Sequence, residues 1–187
     1  MTITKRDQIL ETAMRLFIDK GIHATATSLI AKEAGVATGT LFHHFKNKEE
    51  LVHALYHSIY GSLLEYKERH LDPELDVYER LRLNWRLDIE WGTAHQEYFH
   101  FLERYSFLYY MSESEITKIY DRFQHCTDLF KSAIDADLMA SDNLEYLREH
   151  FIWNIRMNIA YFIEFPEKCT PENIEKSFRI YWKGISK

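Results

Sequence analysis

Apolar positions recur with helical spacing along nearly the whole chain. In the first segment Ile9, Ala13, Leu16 and Phe17 stand at i, i+4, i+7 and i+8, one buried stripe of a helix over about 4–20. Gly21 follows at the left-handed position that ends such a helix. A short helix over 27–34 buries Ile30, Ala31 and Ala34 and stops at Gly35; another over 38–45 turns Leu41 and Phe45 inward. Asn47 with Glu50 three residues later is a capping-box pattern, so a helix starts at Lys48 and runs to about 70, where Asp72-Pro73 breaks it. The remaining pattern predicts helices at about 75–92, 95–111, 114–138, 142–164 and 172–185, and no period-two run is long enough for a strand. The fold class is therefore all-α: a three-helix head with a helix-turn-helix, and a larger helical body.

Composition sharpens that division. Six glycines and three prolines are too few for the turns of a β-sandwich or barrel. The first fifty residues carry 7 Lys+Arg and 6 Asp+Glu, the rest 16 and 23, so a near-neutral head precedes an acidic body. Only Phe17, Phe42 and Phe45 among the aromatics fall in the head. The expected domains are 1–47 and 48–187. A net charge of −6 argues against nucleic-acid binding over the whole surface but not against one local face. No apolar run reaches membrane-spanning length, the first fifteen residues have no signal-type apolar core, and two cysteines make neither a disulfide scaffold nor a four-cysteine zinc module. A reduced, cytoplasmic protein with no membrane partner and no cofactor is the expectation.

The head carries the chemistry. Two short helices joined by Gly35-Val36-Ala37 make a helix-turn-helix, with Ala31 and Ala34 allowing close approach. The second helix then projects its first turn toward the major groove. Thr38 and Thr40 can bond base edges or phosphates, Gly39 lets the backbone approach, and Phe42 can lie against thymine methyls or sugars. His43, His44, Lys46 and Lys48 can face phosphates, one histidine packing while the other faces DNA. Lys5, Arg6 and Arg15 are read as surface charge with possible distal phosphate contacts.

Residues 21–51, GIHATATSLIAKEAGVATGTLFHHFKNKEEL, closely resemble the DNA-binding domain of TetR/AcrR-type transcriptional regulators. The match is carried by Gly21, Thr25, Ile30-Ala31, Ala34-Gly35-Val36, Gly39-Thr40-Leu41, His44-Phe45, Lys48 and Leu51. The resemblance implies an all-helical homodimer, a near-palindromic double-stranded operator, and a small effector that weakens DNA binding. Ala26 replaces a usual Thr, so the second helix would be capped by Thr25 or Thr27; Ala37 replaces a common Ser, leaving Thr38 as the nearest cap. Thr27 and Leu29 stand where an apolar and a charged residue are more usual. Ser28 stands where some relatives carry a base-reading Arg, and Phe42 loses the phenolic hydroxyl of Tyr.

In the body, the helix at 142–164 has two apolar stripes, Leu144/Leu147/Phe151/Ile155/Phe162 and Trp153/Met157/Tyr161. Two stripes suggest packing both inward and on a partner. With the last helix, the expected dimer interface is Phe151, Trp153, Met157, Tyr161, Phe178 and Trp182 in a four-helix arrangement. Residues 80–130 are dense in aromatics, including Trp91, Tyr98, Phe101, Phe107, Tyr109, Tyr110, Tyr120 and Phe130, with His95 and His100 interleaved. Trp85, Phe99, Tyr105, Phe123 and His125 are the expected lining of a pocket for an apolar or aromatic effector. Asp88, Glu90 and Glu97 would favour a cationic one. The competing class is a di-iron helical-bundle enzyme, on the strength of Glu50-Leu-Val-His53, Glu97-Tyr-Phe-His100 and the pair His53/His57. Thr40→Ala or Lys48→Ala should cut DNA affinity with fold and dimer intact.

Overall fold

The computed structural model describes residues 4–72, 74–105 and 112–187, apart from the side chains of Glu115, Ile119 and Tyr120. The described residues form ten α-helices: α1 Lys5–Lys20, α2 Thr27–Glu33, α3 Thr38–His44, α4 Lys48–Glu68, α5 Val77–Ala94, α6 Gln96–Arg104, α7 Glu113–Arg122, α8 Gln124–Asp135, α9 Leu144–Glu164 and α10 Pro171–Ile185. Among them the only strand-like pairing is an isolated bridge between Met139 and Ser186.

Most helix starts follow from short polar side chains that accept the orphan first-turn N–H groups. Thr4 and Asp7 make a reciprocal capping box on α1. Asp76 accepts from Glu79 N–H at 2.9 Å, Asn143 from Tyr146 N–H at 3.0 Å, and Thr170 from Asn173 N–H at 3.2 Å, with Pro171 opening α10. Two expectations are corrected. The segment 114–138 is two helices, because the chain leaves helical geometry at Phe123 (φ −100°, ψ 13°) and restarts through a tight bond from Cys126 N–H to Phe123 C=O. It ends early at Asp135: Asp137 takes the left-handed conformation (φ 58°), with Leu138 N–H closing on Ala133 C=O, an end that no glycine announces. Of the helix expected at 95–111, α6 accounts for 96–104; residues 106–111, with Phe107, Tyr109 and Tyr110, lie outside the described residues, as does the Tyr120 side chain.

The chain divides into two compact units, one of residues 1–61 and 97–117, the other of residues 62–96 and 118–187. This differs from a division at 47/48: the first half of α4 and all of α6 group with the head. In the first unit Tyr56 and Phe101 pack at 5.2 Å, the Tyr56 hydroxyl donates to Tyr105 C=O, and the Tyr105 hydroxyl donates to Phe17 C=O at 2.6 Å. These bonds join α4, α6 and α1 around a dry core of Ile9, Phe17, Leu51 and Tyr56. In the second unit Trp85 on α5 is the centre. Its ring meets Phe151, Phe178 and Tyr181 at 5.6, 5.9 and 4.7 Å, and its indole N–H donates to Ser177 Oγ at 2.9 Å.

Candidate functional site

In the head, Gly35 makes the helix-turn-helix possible. It sits at φ 67°, with Gly35 N–H donating to Lys32 C=O at 3.2 Å and Val36 N–H to Ala31 C=O at 3.0 Å, the double closure of a Schellman turn. Ile30, Ala31, Leu41 and Phe45 are buried around it, while Ala34 and Val36 are half-buried. Gly21 has positive φ (93°), but its ψ of 149° lies outside the left-handed helical region, so α1 does not end as expected. Its carbonyl instead accepts from Thr25 Oγ1 at 2.7 Å. Thr25 is fully buried by that contact and caps nothing; α2 starts after Ala26 and α3 after Ala37, neither capped by a side chain. Thr27 and Thr38 thus do not cap either.

One face of α3 presents Thr38, Gly39, Phe42 and His43 to solvent, the pairs 38/42 and 39/43 each being one helical turn apart. Phe42 is 44% exposed, which nothing in its own chain rewards. A Cβ added at Gly39 would meet no atom within 4 Å, so the fold itself does not require glycine there. Thr40 and His44 are half-buried, and Ser28 and Lys46 are exposed. His44 lies against Phe45 and His43, ring centroids 6.3 and 5.4 Å away, so His44 is the histidine that packs and His43 the one that faces out. Arg6 stands over the Phe45 ring at 5.3 Å, and Arg15 pairs with Glu33 at 3.5 Å.

Lys48 is placed differently from a free phosphate contact. Its ammonium donates to Ile22 C=O at 2.9 Å and His23 C=O at 3.3 Å, pinning the α1–α2 connection. Lys48→Ala should therefore lower stability as well, by about 1–3 kcal/mol for two charge-assisted bonds to backbone. An unfolding curve superimposable on the parent's would show that the contact carries no weight. Beside it Asn47 caps Glu50 N–H at 2.7 Å, and the Glu50 carboxylate reaches the N–H of Lys46, one residue before the cap.

Glu50 is thus committed to capping. Among the described residues no three His, Cys, Asp or Glu side chains group as a metal would need, so Glu50/His53, Glu97/His100 and His57 lend the di-iron reading no support.

The five aromatic and histidine residues expected to line one pocket are divided between the two units. Phe99 and Tyr105 belong to the first compact unit; Trp85, Phe123 and His125 belong to the second. Trp85 is core, and Tyr105 is committed to Phe17. The second unit does contain a cavity of about 370 Å³, and His125 is the one expected residue on it. Its polar floor is Lys67, Asn84 and His125; Leu64, Leu71 and Leu129 line it, together with Arg80, Arg122, Glu68 and Asp72. Lys67 is buried (1% exposed) and its ammonium meets both Asp88 oxygens at 2.9 Å. Burial alone would push the Lys67 pKa down, but Asp88 and then Cys126 outweigh it and hold it above the ordinary lysine value. The Cys126 thiol, 3.7 Å from Asn84 Oδ1, is pushed up by burial, with Lys67 opposing. Asp88 therefore offers no charge to a cationic effector. Glu90 accepts from the Tyr66 hydroxyl at 3.2 Å and stands 3.8 Å from Arg86, and Glu97 lies in the other unit.

The sequence carried a signal for this floor that aromatic density concealed. Asn84 and Asp88 stand three and seven residues after Leu81 on the buried stripe of α5, and Lys67 stands three after buried Leu64.

Two of the expected interface residues are corrected. Phe151 and Phe178 are buried in their own unit against Trp85, and Trp182 is half-buried on Tyr78 at 5.0 Å. The other stripe of α9 faces out: Trp153 and Met157 are 60% and 61% exposed, Tyr161 is exposed, and Ile180 on α10 is 75% exposed.

A short exposed helix delivered by a tight glycine turn is the arrangement of a helix-turn-helix DNA-binding regulator. Residues 9–55 match the model of the bacterial regulatory proteins of the tetR family. A TetR-family transcription regulator from Shewanella sp. PV-4 is 27% identical, with a TM-score of 0.90 over 98% of this chain and 99% of that one. An HTH-type transcriptional regulator of Haemophilus influenzae is 27% identical over 97% of this chain and 95% of its own length. The HTH-type transcriptional repressor KstR2 of Mycolicibacterium smegmatis is 35% identical over 42% of this chain, which spans 38% of that relative's length. The match over residues 9–55 and the likeness along the whole chain together support a TetR family transcriptional regulator. Among the described residues no helix is long and apolar enough to cross a membrane.

Proposed function

We propose that the chain is a cytoplasmic, homodimeric, sequence-specific DNA-binding repressor, released from a near-palindromic operator by a small molecule held in the second unit. The observation that carries the DNA-binding part is the exposed face of α3. Phe42 stands in solvent there, and Gly39 occupies a position where the fold leaves room for a side chain. A protein surface that keeps both features is suited to a backbone or base pressed against it. Two such helices in a dimer would read half-sites in successive major grooves, roughly 34–36 Å apart. A repressor is named among the relatives, and repression is accordingly the sense adopted. Helix α4 supplies residues to both compact units, which makes it the covalent path along which an effector preference for one body conformation changes operator affinity.

The test is a pair of substitutions on α3. Gly39→Ala should hold or slightly raise stability, since alanine favours helix, while lowering operator affinity about tenfold or more. Thr40→Ala should lower affinity with the unfolding transition and the dimer unchanged. Parent-like operator binding by both variants would contradict the assignment of this face.

A further inference from the structure

We infer that the cavity of the second unit takes a small amphiphilic carboxylate, its anionic end held by Arg80 and Arg122 and its hydrocarbon laid against Leu64, Leu71 and Leu129. This rests on the reading of the chain as an effector-released repressor and names the effector's chemical class. Part of the charge on the cavity is already committed. The Lys67 ammonium is bound at 2.9 Å to both oxygens of Asp88, so this buried pair presents little net charge. Arg80 is half-buried and Arg122 exposed, both on the cavity, and neither guanidinium forms an ion pair among the described residues. The carboxylates present are Glu68 and Asp72. Both are exposed, and Asp72 already accepts the Glu74 N–H at 3.0 Å. Water screens exposed charges far more than half-buried ones, so Glu68, Asp72 and Arg122 all count for less inside the cavity than half-buried Arg80.

The His125 pKa is pushed below the ordinary imidazole value by burial first and then by Lys67; Asp88 and a backbone bond with Arg122 oppose, and Arg80 adds least. A planar guanidinium suits a carboxylate, which takes bidentate bonds that a point-like cation site does not provide, and both Arg80 and Arg122 line the cavity. Three leucines supply the apolar wall, and Asn84 leaves a polar group at the floor. The volume, about 370 Å³, bounds the ligand at roughly a dozen non-hydrogen atoms if each takes the roughly 30 Å³ of a water in the liquid. A medium-chain acid such as octanoate fits that bound.

Isothermal titration of the full-length chain without DNA decides it, using octanoate, octylammonium and octanol as probes of equal chain length and different charge. Octanoate should bind saturably, one per chain, about tenfold or more tighter than octylammonium or octanol. The double variant Arg80→Gln/Arg122→Gln should lose about tenfold or more of that affinity and leave octanol binding unchanged. Should the double variant not fold, Arg122→Gln alone, at an exposed position, should still cost several-fold. No octanoate binding, octylammonium or octanol binding as tightly, or octanoate binding indifferent to the arginines would each overturn the inference. Operator binding measured on the same preparation separates the two readings. Operator binding without octanoate binding removes only the ligand class. Arginine-dependent octanoate binding without operator binding removes the repressor reading and leaves the carboxylate site standing.

Discussion

Asp88→Ala is expected to destabilise the chain by about 3–5 kcal/mol, because it strands the buried Lys67 ammonium without its partner. In a chain of 187 residues that corresponds to a fall of about 10 °C in Tm. The loss is not the net worth of the ion pair, since replacing both partners by apolar groups often costs little. It is the penalty of an uncompensated buried charge. Adding Lys67→Met to Asp88→Ala should therefore recover most of the stability, and urea unfolding of the four proteins closes the cycle. A loss below about 1 kcal/mol in the single variant, or no recovery in the double, would mean that water reaches Lys67 and that the cavity floor is not as described. Lys67 itself lines the cavity, so the single variant should also disturb ligand binding.

Met157→Glu is expected to break the dimer. Met157 lies midway along the outward stripe of α9 between Trp153 and Tyr161, and all three are exposed in the single chain. An apolar stripe of that kind on a long helix needs a cover. The cations beside it, Arg156 over Trp153 at 5.0 Å and Lys168 over Phe165 at 4.7 Å, sit against the ring faces rather than burying them. A carboxylate at the centre of the paired stripes would be desolvated without a partner, raising the dimer Kd by about a hundredfold or more, about 3 kcal/mol. Sedimentation or light scattering across a concentration series reads this directly. The folding of each chain should persist, because the inward stripe of Leu147, Phe151, Ile155 and Phe162 is untouched. A fully dimeric Met157→Glu would place the interface elsewhere. Operator affinity should fall with the dimer, since one head reads only one half-site.

What was legible in the sequence is what depends on near neighbours. Gly35 announced its turn because a positive φ is cheap only for glycine, and the turn has φ 67°. Asn47 and Glu50 announced the start of α4, although the carboxylate reaches Lys46 N–H rather than the cap itself. The 153/157/161 spacing announced an outward stripe because i, i+4, i+8 is one face of any helix. What failed depends on distant partners. Phe151 and Phe178 could as well have faced a second chain, and only their packing on Trp85 assigns them inward. Aromatic density over 80–130 did not distinguish a core from a cavity wall, since both are built of the same side chains. The true floor was set by Lys67 and Asp88, twenty-one residues apart on different helices. Thr25 and Lys48, read as cap and phosphate contact, are both drawn to carbonyls at or just after the end of α1.

The most direct test of the account is binding of the full-length chain to the DNA immediately upstream of its own gene. It is done by gel shift at two salt concentrations with random competitor DNA, and with the Gly39→Ala variant alongside. The account predicts a competitor-resistant complex at both salts, weakened in the variant, with a footprint of two half-sites about one helical turn apart. Binding that is removed by competitor, vanishes at the higher salt and is indifferent to Gly39→Ala would be phosphate attraction alone, and would contradict α3 as a sequence-reading helix for that DNA.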